Sequence, residues 1–113
     1  RLKPTEAEIL KYYNNVFAAY KIIFANIMSE VCVKLNCDYT TVKDAFIKFG
    51  RCKDTYLDVN ENLKGYGGMC LPKDVKAMTK LLEKLDIDFD TFKSIDSDNS
   101  KLKTTVFNGM RKQ

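Results

Sequence analysis

A ten-residue run near the middle of the chain, residues 65–74, brings together residue types that can do chemistry. It reads Gly-Tyr-Gly-Gly-Met-Cys-Leu-Pro-Lys-Asp. Because proline suits the first turn of a helix, Cys70 is predicted to fall just before a helix that Pro72 initiates. Unpaired N–H groups and the helix dipole at such a point favour a thiolate. Lys73 would add positive charge, and Asp74 can orient a water or accept a proton.

The glycines of this run suit a functional loop. Gly67 and Gly68 permit backbone conformations that are closed to other residues, and they let a ligand approach the main chain. The pattern is not that of a dinucleotide-binding loop, because it lacks the G-x-G-x-x-G spacing after a strand. On the residues alone, a structural role for Cys70 is more common than a catalytic one, so both interpretations stay open.

Histidine is absent from the chain. Its absence excludes Ser-His and Cys-His nucleophile pairs within the chain and removes the commonest zinc ligand. The four cysteines include no C-x-x-C pair, so we expect no metal site. Cys32 falls on an apolar helix stripe and is predicted to be a core residue.

The composition is that of a soluble globular domain, with 113 residues, 45% hydrophobic and 30% charged, and a net charge of +4. The lysines are scattered among acids, so we expect no nucleic-acid partner. The chain begins with arginine and no cleavable leader follows. We therefore expect one domain of a longer cytoplasmic protein, with free thiols.

One helix of about thirty residues is predicted first, from its apolar periodicity. Residues 5–8 fit a capping box, so the helix should begin near Thr5 and end near Asn36. Its apolar stripe consists of Ile9, Tyr13, Val16, Tyr20, Ile23, Phe24, Ile27, Val31 and Leu35.

The opposite face of this helix is small and almost uncharged, with Ala18, Ala19, Ile22, Ala25, Asn26 and Ser29. A solvated face carries more Lys and Glu. We therefore expect burial on both sides of the helix, including a subunit interface that makes a homodimer. A membrane span is the competing interpretation. Lys21 and the asparagines at 14, 15 and 26 argue against it, since each is costly in hydrocarbon.

Shorter helices are predicted along the rest of the chain. Asp38 or Thr40 can cap a second helix that runs through Lys48 and that Gly50 terminates. A long loop over 51–69 leads to the third helix, which runs through Leu85. A turn over 86–90 precedes a last helix of about twenty residues with a basic end at 111–112. No alternating pattern predicts a strand, so the predicted fold class is all-α.

The decapeptide resembles the active-cysteine signature of the UDP-glucose/GDP-mannose dehydrogenase family, and Met69 occupies a variable position in it. The Leu-Pro-Lys-Asp ending is closer to the UDP-glucose and GDP-mannose members than to the N-acetylmannosamine branch. The resemblance implies that residues 1–113 are the family's central helical domain, similar to the C-terminal helical domain of 6-phosphogluconate dehydrogenase. The NAD-binding and nucleotide-sugar-binding Rossmann domains would lie outside this chain.

The long helix also resembles the family, whose central helix opens with Lys-x-x-x-Asn. Lys11 and Asn15 match that pattern at positions i and i+4, on one helical face. The resemblance implies that both contact the substrate and stabilise the oxyanion, that Cys70 is the nucleophile, and that Asp74 assists proton transfer or orients water. For Lys11 and Asn15 alone, an ordinary surface role is an adequate alternative.

Further residues take substrate or cofactor roles by the same resemblance. Arg51 and Tyr56 precede the glycine loop where family members carry an arginine and then an aromatic residue; a surface ion pair and a packing tyrosine are the alternatives. The remaining predicted substrate contacts are Gly65, Tyr66 and Gly67. Lys73 is a weak candidate for contact with the cofactor.

The reaction that the resemblance implies is oxidation of UDP-glucose to UDP-glucuronate in two hydride transfers to NAD+. A thiolate traps the intermediate aldehyde as a thiohemiacetal, and a thioester is then hydrolysed by water. The fragment alone is expected to be inactive. The alternatives are a GDP-mannose dehydrogenase and a non-catalytic helical dimerisation module that keeps the same scaffold.

Overall fold

The structure is a computed structural model that describes residues 1–50, 56–60 and 62–102. Over these residues the chain forms helices and no strand, which confirms the all-α prediction. The elements are α1 (Pro4–Lys34), α2 (Tyr39–Lys48), α3 (Cys70–Lys84) and α4 (Thr91–Ser100). Helix α1 packs against each of the other three, and α3 also packs against α4.

The start of α1 corrects the predicted capping box at 5–8. Pro4 is the first helical residue, where its missing N–H would have no intrahelical acceptor in any case. The carboxylate that reaches back belongs to Glu6, because its Oε1 accepts the backbone N–H of Lys3 at 2.9 Å. The box therefore begins at Lys3, two residues earlier than predicted.

The end of α1 is a Schellman turn. Asn36 adopts a left-handed conformation with φ 57°. Its N–H donates to the carbonyl of Val33 at 3.2 Å, and the N–H of Cys37 donates to the carbonyl of Cys32 at 2.9 Å. These bonds satisfy carbonyls that the helix end would otherwise leave unpaired. The helix therefore stops within two residues of the predicted Asn36.

The small-residue face of α1 is the face that builds the core. Ala19 and Ala25 are fully buried, and Ile22 is 1% exposed. Alanines let the α3 backbone approach closely, so this face packs within the chain. The core cluster consists of Val16, Ala18, Ala19, Ile22, Ile23, Tyr66, Leu71, Val75 and Ile95. Cys32 is buried, as predicted.

The large-residue stripe of α1 is mostly exposed, although it looked like the natural core face in the sequence. Its exposed members are Ile9, Tyr13, Tyr20, Phe24, Ile27, Val31 and Leu35, whereas Val16 and Ile23 are buried. Tyr13 is 70% and Phe24 51% exposed. Within the described chain only one face of α1 is thus fully covered, so a subunit interface would have to form on this stripe.

By length and composition alone, α1 could cross a membrane. Its packing is that of a core helix, however, because its alanine face lies against α3 and α4. The buried Asn26 bonds within the helix, its Nδ2 donating to the carbonyl of Ile22 at 2.7 Å.

Helix α2 begins at the predicted cap and holds part of the following segment. Asp38 caps it by accepting from the N–H and hydroxyl of Thr41, at 3.2 and 2.7 Å. The hydroxyl of Tyr39 donates to the carbonyl of Leu57 at 2.8 Å. Buried Lys43 pairs with Asp58. Residues 56–60 are thereby fixed on α2.

Two boundaries in the second half correct the prediction. Cys70 is the first residue of α3, not the residue before it, and Pro72 is the third. Proline fits there because the first-turn N–H groups lack intrahelical acceptors. Helix α4 ends at Ser100, well short of the predicted twenty residues. Its last turn is rich in Ser, Asp and Asn, which favour caps and turns over helix interiors. The basic residues at 111–112 lie outside the described residues.

Candidate active site

A short hydrogen bond joins the two helices that carry the predicted catalytic residues. Asn15 on α1 donates from Nδ2 to Oδ2 of Asp74 on α3 at 2.6 Å. The two residues are 59 positions apart in sequence. The fold thus brings together two of the four predicted catalytic residues.

Asp74 is fully buried, yet only one of its two carboxylate oxygens forms a hydrogen bond with the described residues. Its Oδ2 accepts from Asn15, whereas Oδ1 has no hydrogen-bond partner among the residues that the structure describes. Buried polar atoms nearly always have a partner, and an exception needs an explanation such as a catalytic role or a bound water. Oδ1 is therefore a buried acceptor that still needs a partner, such as a bound water.

Cys70 lies one helical turn before Asp74. The two residues are at positions i and i+4 of α3, so their side chains lie on one helical face. Cys70 is exposed and carries a free thiol. The first turn of α3 also presents backbone N–H groups without intrahelical acceptors, and these stabilise negative charge close to the thiol. An exposed thiol thus lies one helical turn from a buried carboxyl group.

The two predicted lysines are less closely joined to this cluster. Lys11 is exposed one turn from Asn15, and its Nζ lies 5.9 Å from the ring centroid of Tyr12. It forms no ion pair with Asp74. Lys73 is exposed on the first turn of α3. The structure therefore leaves both ammonium groups at the surface.

The glycine loop approaches Cys70 through a left-handed residue. Gly68 has φ +81°, a conformation that L side chains rarely adopt, and a β-carbon built there would have no contact within 4 Å beyond its chain neighbours. Gly67 is half-buried and Met69 is exposed. Glycine at 68 therefore serves the backbone turn into α3, and its φ rather than a steric contact requires it.

Tyr66, predicted to contact substrate, lies in the core with 1% of its surface exposed. Its hydroxyl donates to Oδ1 of Asp96 at 3.1 Å. Burial, and next the charge of Asp96, raises the pKa of Tyr66 far above its usual range. The side chain of Tyr66 is thus engaged with α4, which leaves it no exposed surface for a ligand.

The remaining predicted substrate residues lie farther along the loop. Gly65 is buried, with φ +78°. Tyr56 is half-buried against the core cluster, which agrees with the packing alternative given for it. Arg51 lies outside the described residues.

Sequence reasoning missed Asn99, whose side chain bonds to the backbone of Tyr66 on both sides. One signal was available, because asparagine competes with the helix backbone for hydrogen bonds and is unfavourable inside helices. An asparagine within a predicted twenty-residue helix therefore indicates that its side chain has a partner elsewhere in the fold.

Metal and dinucleotide sites call for other features. No group of three or more Cys, Asp or Glu side chains within the described residues could hold a metal ion. These residues also contain no strand, and hence no strand–loop–helix unit of the kind that binds dinucleotides. The described chain does not fit NAD by itself.

The site thus consists of a part-buried contact between Asn15 and Asp74 and an exposed cysteine at the start of α3. Over residues 5–101 the chain matches the central domain of the UDP-glucose/GDP-mannose dehydrogenase family. It belongs to that family.

Individual relatives agree with this assignment. The chain is 35% identical over 89 residues to UDP-glucose 6-dehydrogenase YwqF of Bacillus subtilis, covering 79% of this chain and 20% of the relative. It is 31% identical over 102 residues to a UDP-glucose 6-dehydrogenase of Pseudomonas aeruginosa, covering 90% and 22%. It is 36% identical over 90 residues to a GDP-mannose 6-dehydrogenase of Pseudomonas putida, covering 75% and 19%. The chain thus spans about a fifth of the length of these relatives. No solved structure matches it.

Proposed function

We propose that this chain is the central, catalytic-cysteine domain of an NAD-dependent dehydrogenase that oxidises UDP-glucose to UDP-glucuronate. Membership of the family and the names of the UDP-glucose 6-dehydrogenases among its relatives support this substrate. The observation that carries the proposal is the bond between Asn15 and Asp74, beside the exposed thiol of Cys70.

Cys70 carries the covalent chemistry in this proposal. After the first oxidation of the C6 alcohol, its sulfur attacks the aldehyde carbon, and the carbonyl oxygen takes up a proton to give a thiohemiacetal. The second oxidation transfers hydride from C6 to NAD+, and the hydroxyl of the thiohemiacetal releases its proton to give a thioester. Water then adds to the thioester carbonyl, the bond from carbon to sulfur breaks, and the carboxylate leaves with the thiol restored.

Asn15, Lys11 and Asp74 assist these steps. An amide donor and a cation next to the reacting carbonyl stabilise the negative oxygen that develops in each tetrahedral species. Asn15 is anchored for this role by Asp74. Lys11 is exposed and has a flexible stem, so it can extend toward a bound substrate. The unpartnered Oδ1 of Asp74 would orient the hydrolytic water or accept its proton.

The cofactor and the rest of the substrate would be bound outside the described residues. NAD+, when bound, would supply the hydride acceptor for both oxidations. From this chain, Lys73 is the weak candidate for contact with it, and the backbone of Gly67 would face the sugar. We place the parent enzyme in the cytoplasm, because the chain carries free thiols.

A homodimer through α1 is part of the same proposal. The exposed apolar stripe of α1 runs the length of the helix, and monomers rarely expose contiguous apolar surface of this extent. A second copy of the chain carries the same stripe, so the two stripes can pack together around a two-fold axis.

A non-catalytic dimerisation module is the second candidate, since the exposed stripe would serve it equally well. A GDP-mannose substrate is a further alternative, because two relatives carry that name. The candidates differ in what they require of Cys70 and in the sugar that is oxidised.

The deciding experiment uses the full-length parent and follows NAD+ reduction with UDP-glucose, GDP-mannose and UDP-N-acetyl sugars. UDP-glucose should be turned over fastest, and Cys70→Ser should abolish carboxylate formation. Cys37→Ser is the matched control, because Cys37 is also an exposed free thiol but lies at the far end of α1. Undiminished carboxylate formation by Cys70→Ser would reject the mechanism, and no turnover of any sugar by the parent would favour the dimerisation module.

A further inference from the structure

Asn99 on α4 bonds to the glycine loop through both ends of its side-chain amide. Its Oδ1 accepts the backbone N–H of Tyr66 at 2.7 Å, and its Nδ2 donates to the carbonyl of Tyr66 at 2.9 Å. A side-chain amide offers a donor and an acceptor side by side. Asn99 therefore pairs with the backbone of Tyr66 as a neighbouring strand would.

The contact is needed because the backbone of Tyr66 lies in the interior. Tyr66 is 1% exposed, and buried backbone polar groups that lack partners are strongly disfavoured. The described residues around Tyr66 form no strand, so a regular strand ladder does not supply these partners. Helix α4 provides the partner instead.

Gly65 lies directly against the side chain of Asn99. A β-carbon at residue 65 would overlap Oδ1 of Asn99 and lie 3.1 Å from Cδ1 of Leu102. The absence of a side chain at 65 therefore lets Asn99 reach the backbone of Tyr66. Part of the requirement for glycine at this position comes from α4 and not from a ligand.

A second link ties the same loop residue to both neighbouring helices. The hydroxyl of Tyr66 donates to Asp96 on α4 at 3.1 Å. Asp96 in turn accepts from Nζ of Lys76 on α3 at 2.8 Å. Asn99 and Asp96 thus hold Tyr66 at its backbone and at its ring tip, four residues before Cys70.

We propose that Asn99 is a positioning residue for the Cys70 site, acting through the backbone of the glycine loop. The inference rests on the proposed function of Cys70. Between Tyr66 and Cys70 lie only two glycines and one exposed methionine, and glycines restrain the backbone least. The path of the loop beside the thiol is therefore fixed at Tyr66. Without Asn99 the loop segment from Tyr66 to Met69 shifts, while α3 keeps Cys70 in place.

The test is made in the full-length parent enzyme with Asn99→Leu, which is similar in size but has no donor or acceptor. A loop displaced by about 1 Å costs on the order of a hundredfold in turnover, so kcat for UDP-glucose should fall tenfold to a hundredfold. Asn99→Asp keeps an acceptor for the N–H of Tyr66 and should recover part of that loss. Lys93→Ala, at an exposed position on α4, is the control and should leave kcat within twofold.

A second readout separates positioning from general damage. Hydrogen exchange of the peptide covering 64–70 should speed up at least tenfold in Asn99→Leu, while exchange in α1 stays as in the parent. Faster exchange throughout the domain would instead indicate a purely structural role and overturn the proposal. If Asn99→Leu does not fold, Asn99→Asp decides by the same two measurements.

The outcomes distinguish this proposal from the one on which it rests. If Cys70→Ser abolishes carboxylate formation but Asn99→Leu keeps kcat within twofold, the positioning role is rejected and the proposed function stands. If Cys70→Ser remains active, the proposed function fails, and the exchange of 64–70 still reports whether Asn99 holds the loop.

Discussion

The contact between Asn15 and Asp74 makes a quantitative prediction about stability. Asn15→Ala removes the amide that donates to Asp74 at 2.6 Å and leaves the fully buried carboxyl group without a hydrogen-bond partner among the described residues. Hydrogen bonds to charged groups contribute about 1.5–3 kcal/mol, and a buried group left unpaired costs at least as much. We expect the free energy of unfolding to fall by about 2–3 kcal/mol.

Thermal unfolding of the purified chain, followed by circular dichroism, measures this loss. For a domain of this size 1 kcal/mol corresponds to about 4 °C, so Tm should fall by about 8–12 °C. All proteins must be compared at one concentration, because self-association raises the apparent Tm. Asn14→Ala is the matched control, since it makes the same change of residue type at an exposed position of α1. It should shift Tm by less than about 2 °C.

A double-mutant cycle isolates the pair itself. Asp74→Leu removes the buried carboxyl group. Adding Asn15→Ala to that variant should therefore lower the free energy of unfolding much less than it does in the unmutated chain. The interaction energy should be about 1–3 kcal/mol. Equal losses from Asn15→Ala in both backgrounds, or the same Tm for Asn15→Ala and Asn14→Ala, would refute the reasoning.

Two other predictions concern the surface and the second helix. Phe24→Lys, in the middle of the exposed stripe, should convert a dimer into a monomer in sedimentation measurements, whereas Lys93→Ala should not; a monomeric parent at high concentration would refute the proposed interface. The hydrogen bond from the Thr41 hydroxyl lowers the pKa of Asp38 in the folded chain. The ionised Asp38 carboxylate therefore stabilises the fold above its unfolded-state pKa of about 3.9, and this stabilisation is lost as pH falls through the folded-state pKa. Asp38→Ala should therefore lower Tm clearly at pH 7 and much less at pH 3, and an equal loss at both pH values would contradict the capping role.

The order and type of the helices could be predicted from the sequence because they depend on local signals. Helical periodicity, the cap at Asp38 and the left-handed ends act within a few residues of one another. Periodicity does not tell which side of a two-sided apolar helix faces its own domain. The stripe from Ile9 to Leu35 looked like the core because its residues are large, but the alanine face allows the closer approach of helices and forms the actual core.

The candidate site was predictable only in part. The spacing of Cys70 and Asp74 places them on one face of a helix, so the part of the site on α3 follows from the sequence. The meeting of Asn15 with Asp74 depends on how α1 and α3 pack, and only the family resemblance grouped them beforehand. An asparagine within a predicted helix was the one signal for Asn99, and it does not identify the partner, which is the backbone of Tyr66.

The most direct test of the account is to trap the covalent intermediate on Cys70. In the full-length parent, Asp74→Asn should slow hydrolysis of the thioester, because it removes the oxygen proposed to orient or deprotonate water. Acid quenching during turnover of UDP-glucose, followed by peptide mass spectrometry, should then find a uridine-diphosphate-linked uronyl adduct on the peptide that contains Cys70. Continued reduction of NAD+ without any adduct on that peptide, or an adduct on Cys37 instead, would contradict the assignment of Cys70 as the nucleophile.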